Sequence, residues 1–308
     1  MRAGEPDVDG GLGIAGSGEL GDVRRFSHEA MNTVFEVYTV HPDELYASQA
    51  AQAAFALADR LENELSRFRS NSDITRVNHL AAGESTRVGP STLECLVIAR
   101  HLFDLTGGTF DPSIGTGLPS LELDADDFLV RATTDGVQID LGAIGKGYAV
   151  DLMAELLEEW GLQRVLVHGG FSSVLALEAP EGRDGWPLTL SDPATPSRVL
   201  ARLSMRQMAL SASGVRKKDH IVDPRTGEPV RGRLAAWVAL PRPAPGSVEG
   251  PRLAAAAVAD ALTTAMMMLS VDEVALLCEH SPGLQAWVLP DAIGPSGEAD
   301  LLHFGGQA

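Results

Sequence analysis

Apolar residues recur along this chain with two periods, and those periods assign most of its elements. In "SHEAMNTVFEVYTV" they alternate with polar residues from Val34 to Val40, which predicts a strand. In "ASQAAQAAFALADRLENELSRFRS", Phe55, Ala58, Leu61, Leu65 and Phe68 return every three or four residues, the spacing of an amphipathic helix. A second helix is predicted from about Ser91 to Leu105, stopped by Gly107-Gly108. "KGYAVDLMAELLEEWG" carries a third, with Ala149, Leu152, Met153, Leu156, Leu157 and Trp160 on one stripe. An Ala- and Met-rich helix from about Arg252 to Leu269 and a last one over "VDEVALLCEH" complete the set.

Short runs between them ("GVQIDL", "RVLVHGG", "SSVLALEA", "WPLTLSDP", "RVLARLSM", "MALSASG", "AAWVALP") read as strands, with "LQAWVLP" closing the series. Strands outnumber helices and crowd the second half, so an α+β fold is expected rather than a doubly wound sheet. The Gly-, Asp- and Glu-rich start predicts a mobile tail over residues 1–22, then one domain over 23–303 and a loose end over 304–308.

Composition narrows the partners. Lys and Arg number 24 against 42 Asp and Glu, a net charge of -18, and such a surface repels nucleic acid and anionic membranes. No run approaches the roughly 18 apolar residues of a membrane span. The start lacks the basic head and apolar middle of an export signal, so a cytoplasmic location is expected. Both cysteines, Cys95 and Cys278, lie in apolar stretches and read as buried thiols.

An acidic protein that binds an anion needs local help, and four stretches offer it. "IDLGAIGKGYAVD" places glycines and Lys146 at the mouth of a helix. It is not a P-loop, because the spacer before Gly145-Lys146 is too short and Gly147 stands where Ser or Thr belongs. On pattern alone, an anion site at the helix start and a tight strand-to-helix turn account for it equally well. "SASGVRKKDHIVDPRTGEPV" gathers Ser211, Ser213, Arg216, Lys217, Lys218 and His220 ahead of an Asp-Pro-Arg-Thr-Gly turn. In "VADALTTAMMML", Asp260 and Thr264 stand four apart on one helix face, oxygen donors suited to Mg²⁺ beside phosphate. In "GGTFDPSIG", which carries Thr109, Phe110 and Asp111, the Asp before Pro112 accounts for a turn start as readily as Gly107-Gly108 do for the approach of a flat ligand.

Together with "MNT", "LSRFRSNSDITRVN" and "VHGG", these stretches resemble, in order, the landmarks of the ApbE family, the FAD:protein FMN transferases. The resemblance runs from about Met31 to Leu289. It implies an ApbE-like fold related to the tunnelling fold, with two α+β lobes and an FAD cleft between them. It implies transfer of the FMN half of FAD to a threonine of a target flavoprotein, in an Asp-Gly-x-Thr context, with release of AMP. Mg²⁺, or Mn²⁺ in its place, is implied on the pyrophosphate, held by Asp260, Thr264 and the carbonyl of Ala143. Asp140 and Lys146 are implied to contact FAD. Met31, Phe68, Thr109, Phe110 and Asp111 are implied to line its pocket, and His220 to sit near the reacting phosphate. Asp260, Lys146 and His220 would form the catalytic set, His220 as the base.

Three departures from the family pattern stand out. Thr263 takes the place of a frequent second Asp, Asn32 that of a glycine, and only 24 residues separate Gly115 from Asp140. The short segment is expected to lower one wall of the cleft. It keeps two other readings open, an FAD pyrophosphatase and a passive flavin binder.

Overall fold

The computed structural model describes residues 12–14, 22–170, 172–214, 222–243, 254–291 and 300–306. In chain order they form β1 (Leu12–Ile14), β2 (Arg24–Ala30), β3 (Thr33–Thr39), α1 (Glu44–Leu65), α2 (Asp73–Val77), β4 (Ser85–Arg87) and α3 (Pro90–Leu105). After these come β5 (Leu121–Asp124), β6 (Leu129–Ala132), α4 (Gly145–Glu159), β7 (Val165–Gly169), β8 (Ser173–Ala176), β9 (Trp186–Ser191) and β10 (Val199–Met205). The last are β11 (Met208–Gly214), β12 (Arg233–Pro241), α5 (Ala255–Met266), α6 (Val271–His280), β13 (Gln285–Pro290) and β14 (Leu302–Gly305).

An eight-stranded sheet in the order β14-β13-β12-β11-β8-β7-β3-β2 organises the molecule, and every neighbouring pair in it is antiparallel. One face packs Phe35, Val37, Val167, Leu175, Ala209 and Val238 into the core that holds α1, α3, α4 and α5. The other face sends Tyr38, Leu166, Val174, Leu210 and Trp237 against the small β1-β9-β10 sheet. Both faces are therefore dry, which is why β12 reads "LAAWVAL" with no polar alternation. A third sheet, β4-β6-β5, takes β5 and β6 from the segment that the sequence marks as short and β4 from before α3. This is the expected α+β arrangement, with strands antiparallel and helices gathered on one face.

Several boundaries differ from the periodic reading. Helix α1 begins at Glu44, where the Asp43 side chain accepts the Tyr46 N–H at 3.0 Å, and ends before Ser66. Phe68 therefore lies beyond it and does not join its buried stripe. "SNSDITRVNHLAAGE" contains α2, whose N-cap is Ser72. "GVQIDL" joins no ladder. Instead the Asn78 side chain donates to Ile139 O at 2.9 Å and accepts from Ile139 N at 2.7 Å, taking the place of a neighbouring strand. Leu12–Ile14, within the expected tail, pairs with β9, and β14 follows the strand predicted to close the series. Residues 1–11 and 15–21 and Gln307-Ala308 lie outside the described residues.

Candidate active site

The helix-side ends of the central sheet, the α4 start and the middle of α5 enclose a cleft of about 500 Å³. Its lining brings together Met31, Thr109, Phe110, Asp111, Asp140, Ala143, Lys146, Asp260 and Thr264. Nine residues spread over more than two hundred positions of sequence thus meet at one place. Phe68 is not among them: it is 77% exposed, with the Arg67 guanidinium 4.7 Å above its ring. Arg67 in turn pairs with Asp140 at 2.9 Å, so Phe68 stands next to the cleft through its neighbour. His220, Arg216, Lys217 and Lys218 lie outside the described residues.

Asp260 is the chemical centre of this arrangement. Helix α5 runs apolar on nearly every side, which buries the carboxylate to 3% exposure. One oxygen accepts the Gly147 N–H at 3.1 Å and lies 3.6 Å from Lys146 Nζ. Burial pushes the carboxyl above its usual range, while the Lys146 charge and the Gly147 N–H pull the other way. The Ser173 hydroxyl is close enough to draw the same carboxyl down, and Ser211 beside it on β11 is buried without a hydrogen-bond partner. Thr263 is committed elsewhere, to Ser213 at 2.8 Å and to the Asp260 carbonyl at 2.7 Å.

The glycine-rich turn now has a physical reading. Gly145 and Tyr148 N–H groups bond back to Leu141 and Ile144 carbonyls, and Gly147 N–H goes to Asp260. Lys146 folds over the turn to donate to Gly142 O at 3.1 Å. The helix start therefore presents a carboxylate held by an amide and an ammonium rather than an open nest of N–H groups. Gly147 owes its identity to packing: a Cβ there would stand 2.2 Å from Ala256 O. Asp140 accepts from Gly142 N at 2.9 Å, and Asp111 accepts from Ser113 and Gly115, so both acids also order the loops that carry them.

On the opposite rim the β2–β3 hairpin turns through Met31 and Asn32, with φ of 51° and 57°. Two consecutive left-handed residues are what a two-residue type I′ hairpin demands, and asparagine tolerates this where glycine is usual. The Met31 N–H is held by Glu62 at 3.0 Å, which anchors the hairpin turn at the cleft rim. In the "HIVDPRTGEPV" loop, the Asp223 side chain accepts Arg225 N and Gly227 takes φ of 75°, the turn its residues predict.

Sequence reasoning passed over Asp151. It is 4% exposed on α4 and accepts Ala256 N at 3.0 Å and Ala257 N at 2.8 Å, the first turn of α5. The signal that could have found it is an acid on the apolar side of its helix, as at Asp260.

The geometry agrees with what the chain is similar to. The ApbE family model matches residues 31–118 and 115–288. The chain belongs to the ApbE family. A FAD:protein FMN transferase of Treponema pallidum (strain Nichols) is 26% identical over 334 residues, spanning 91% of this chain and 88% of that relative. The one of Klebsiella pneumoniae (strain 342) is 22% identical over 315 residues, spanning 85% and 86%. Among solved structures, the Pseudomonas stutzeri flavinyl transferase ApbE superposes with a TM-score of 0.76 at 22% identity, covering 92% of this chain and 94% of the other. The ApbE fold is thus present at nearly full length. Among the described residues no helix is long and apolar enough to cross a membrane.

Proposed function

We propose that this chain is an FAD:protein FMN transferase, moving FMN from FAD to a threonine hydroxyl of a flavoprotein and releasing AMP. The observation that carries the proposal is the buried Asp260 carboxylate at the base of a 500 Å³ cleft, with Lys146, Thr264 and Ala143 around it. A buried acid aimed into a cleft and backed by a lysine is costly to keep for packing alone, and a passive flavin binder has no use for it.

The donor set suits Mg²⁺. Asp260 supplies a carboxylate, Thr264 a hydroxyl and Ala143 a carbonyl, all oxygen, and no group of three or more His, Cys, Asp or Glu competes among the described residues. One protein carboxylate plus phosphate oxygens is the usual pattern for this ion. When bound there, the ion would neutralise the pyrophosphate and stabilise the departing AMP. Lys146 adds a cation on the same side, screening charge on the transferred phosphate. Met31 would offer apolar surface to the flavin or adenine ring, with the buried Phe110 packed behind the cleft wall, and Asp140 orders the loop that carries Ala143. His220 is the candidate base for the threonine hydroxyl, a contribution of roughly 10²–10⁴-fold in such reactions.

The test uses purified protein, FAD, Mg²⁺ and a peptide bearing Asp-Gly-x-Thr, with all products separated. Labelled peptide and AMP in equal amounts is the expected result. FMN and AMP with unlabelled peptide would make the protein a pyrophosphatase, and intact FAD would make it a binder.

A further inference from the structure

Helices α4 and α5 hold each other by their first turns. From α4, the Asp151 carboxylate accepts Ala256 N at 3.0 Å and Ala257 N at 2.8 Å. From α5, the Asp260 carboxylate accepts Gly147 N at 3.1 Å. Each helix thus lends an acid to the positive end of the other, and the backbones touch between them at Gly147 and Ala256. Helix α5 depends on this loan, since its own N-cap is Ala254, which offers no side-chain cap, and its first turn holds no acid.

We propose that Asp151 is a positioning residue for the site: it sets the depth and rotation of α5, and through them where Asp260 and Thr264 stand against Lys146 and Ala143. This rests on the reading of the cleft as a metal–pyrophosphate site. The lever is short. Asp260 lies four residues beyond Ala256, one turn of about 5.4 Å along the same rigid helix. If the two bonds to α5 are lost, the first turn frays or shifts, and the Gly147–Asp260 bond on the far side of the contact shifts with it. Outer partners that orient a metal ligand typically govern metal affinity by roughly 10–100-fold. Asp151 touches neither FAD nor metal in this scheme and takes no part in the chemical step.

Asp151→Asn keeps the shape, gives up the charge and leaves one accepting oxygen. Asp151→Ser retains a capping hydroxyl and serves as a second variant. Leu157→Ala, between one and two turns further along α4 and fully buried, supplies a destabilised control. Amide exchange at Gly147 without metal, and Mn²⁺ binding in the presence of FAD followed by electron paramagnetic resonance, are measured on all four proteins. The proposal expects Gly147 exchange about tenfold faster and Mn²⁺ affinity about tenfold weaker in Asp151→Asn, with Leu157→Ala matching wild type in both. Unchanged Gly147 exchange in Asp151→Asn overturns it, as does equal acceleration in Leu157→Ala, which would mean general loosening. Should wild type itself hold no Mn²⁺, the metal reading falls, and Gly147 exchange alone still decides whether Asp151 positions α5.

Discussion

Gly147→Ala puts the crossing of α4 and α5 to a direct test. In an exposed helix the same change would stabilise by about 1 kcal/mol, because alanine is the better helix former. Here an ideal Cβ would meet Ala256 O at 2.2 Å, Ala256 C at 2.6 Å and Ala257 Cα at 2.9 Å. Return to ordinary contact, 3.4 Å or more, needs the helices to part by about 1.2 Å. That would carry the Gly147–Asp260 bond, now 3.1 Å, out of hydrogen-bonding range. Overpacking costs about 1–3 kcal/mol, and a lost bond to a charged acceptor about 1.5–3 kcal/mol. Set against the gain in propensity, the net loss is roughly 1.5–5 kcal/mol. Urea unfolding followed by circular dichroism reads it as a lower midpoint at unchanged slope. Adding Ala256→Gly should give no rescue, because the atoms met are backbone. A variant as stable as wild type, or one rescued by Ala256→Gly, would refute the reasoning.

Three further outcomes follow from the geometry. His168 is buried at 1% exposure, and desolvation lowers its pKa to about 4, with Glu36 pulling the other way. Between about pH 4 and 6.5 the unfolded chain binds a proton that the folded one refuses, so stability rises with pH across that window, by up to about 3 kcal/mol. His168→Gln should flatten this slope in urea titrations at pH 4.5 and 7, and an unaltered slope would discard the assignment. Asp260→Ala should abolish Mg²⁺-dependent turnover of FAD, and activity that survives would remove Asp260 from the metal site. Phe68→Ala should leave stability within about 0.5 kcal/mol while weakening FAD binding measured by flavin fluorescence; unchanged affinity would mean that Phe68, beside the cleft, does not reach the bound flavin.

Much of this molecule was legible in its pattern, and the exceptions share a cause. The stripe from Ala149 to Trp160 and the buried "RVLVHGG" and "AAWVAL" runs appear where periodicity puts them, because tertiary packing there agrees with local preference. Asp260 too announced itself, as an acid among Ala257, Val258, Ala261 and Leu262. Phe68 kept the period of α1 but not its conformation, since the helix ends at Ser66 and nothing in the apolar spacing encodes that stop. "GVQIDL" has the composition of a strand and lacks only a partner, which Asn78 supplies from another part of the chain. Gly147 and Asp151 could be read only in three dimensions. Both answer to α5, about a hundred residues away, and the family resemblance located the motif without explaining either residue.

The central claim is that Asp260, Lys146, Thr264 and Ala143 serve phosphoryl transfer to a protein hydroxyl. Tandem mass spectrometry of an Asp-Gly-x-Thr peptide, incubated with the protein, FAD and Mg²⁺, tests it most directly. FMN is expected on the threonine, and none when Mg²⁺ is chelated or Asp260→Ala replaces wild type. FMN on the threonine in either of those controls, or an unmodified peptide beside consumed FAD, would contradict it.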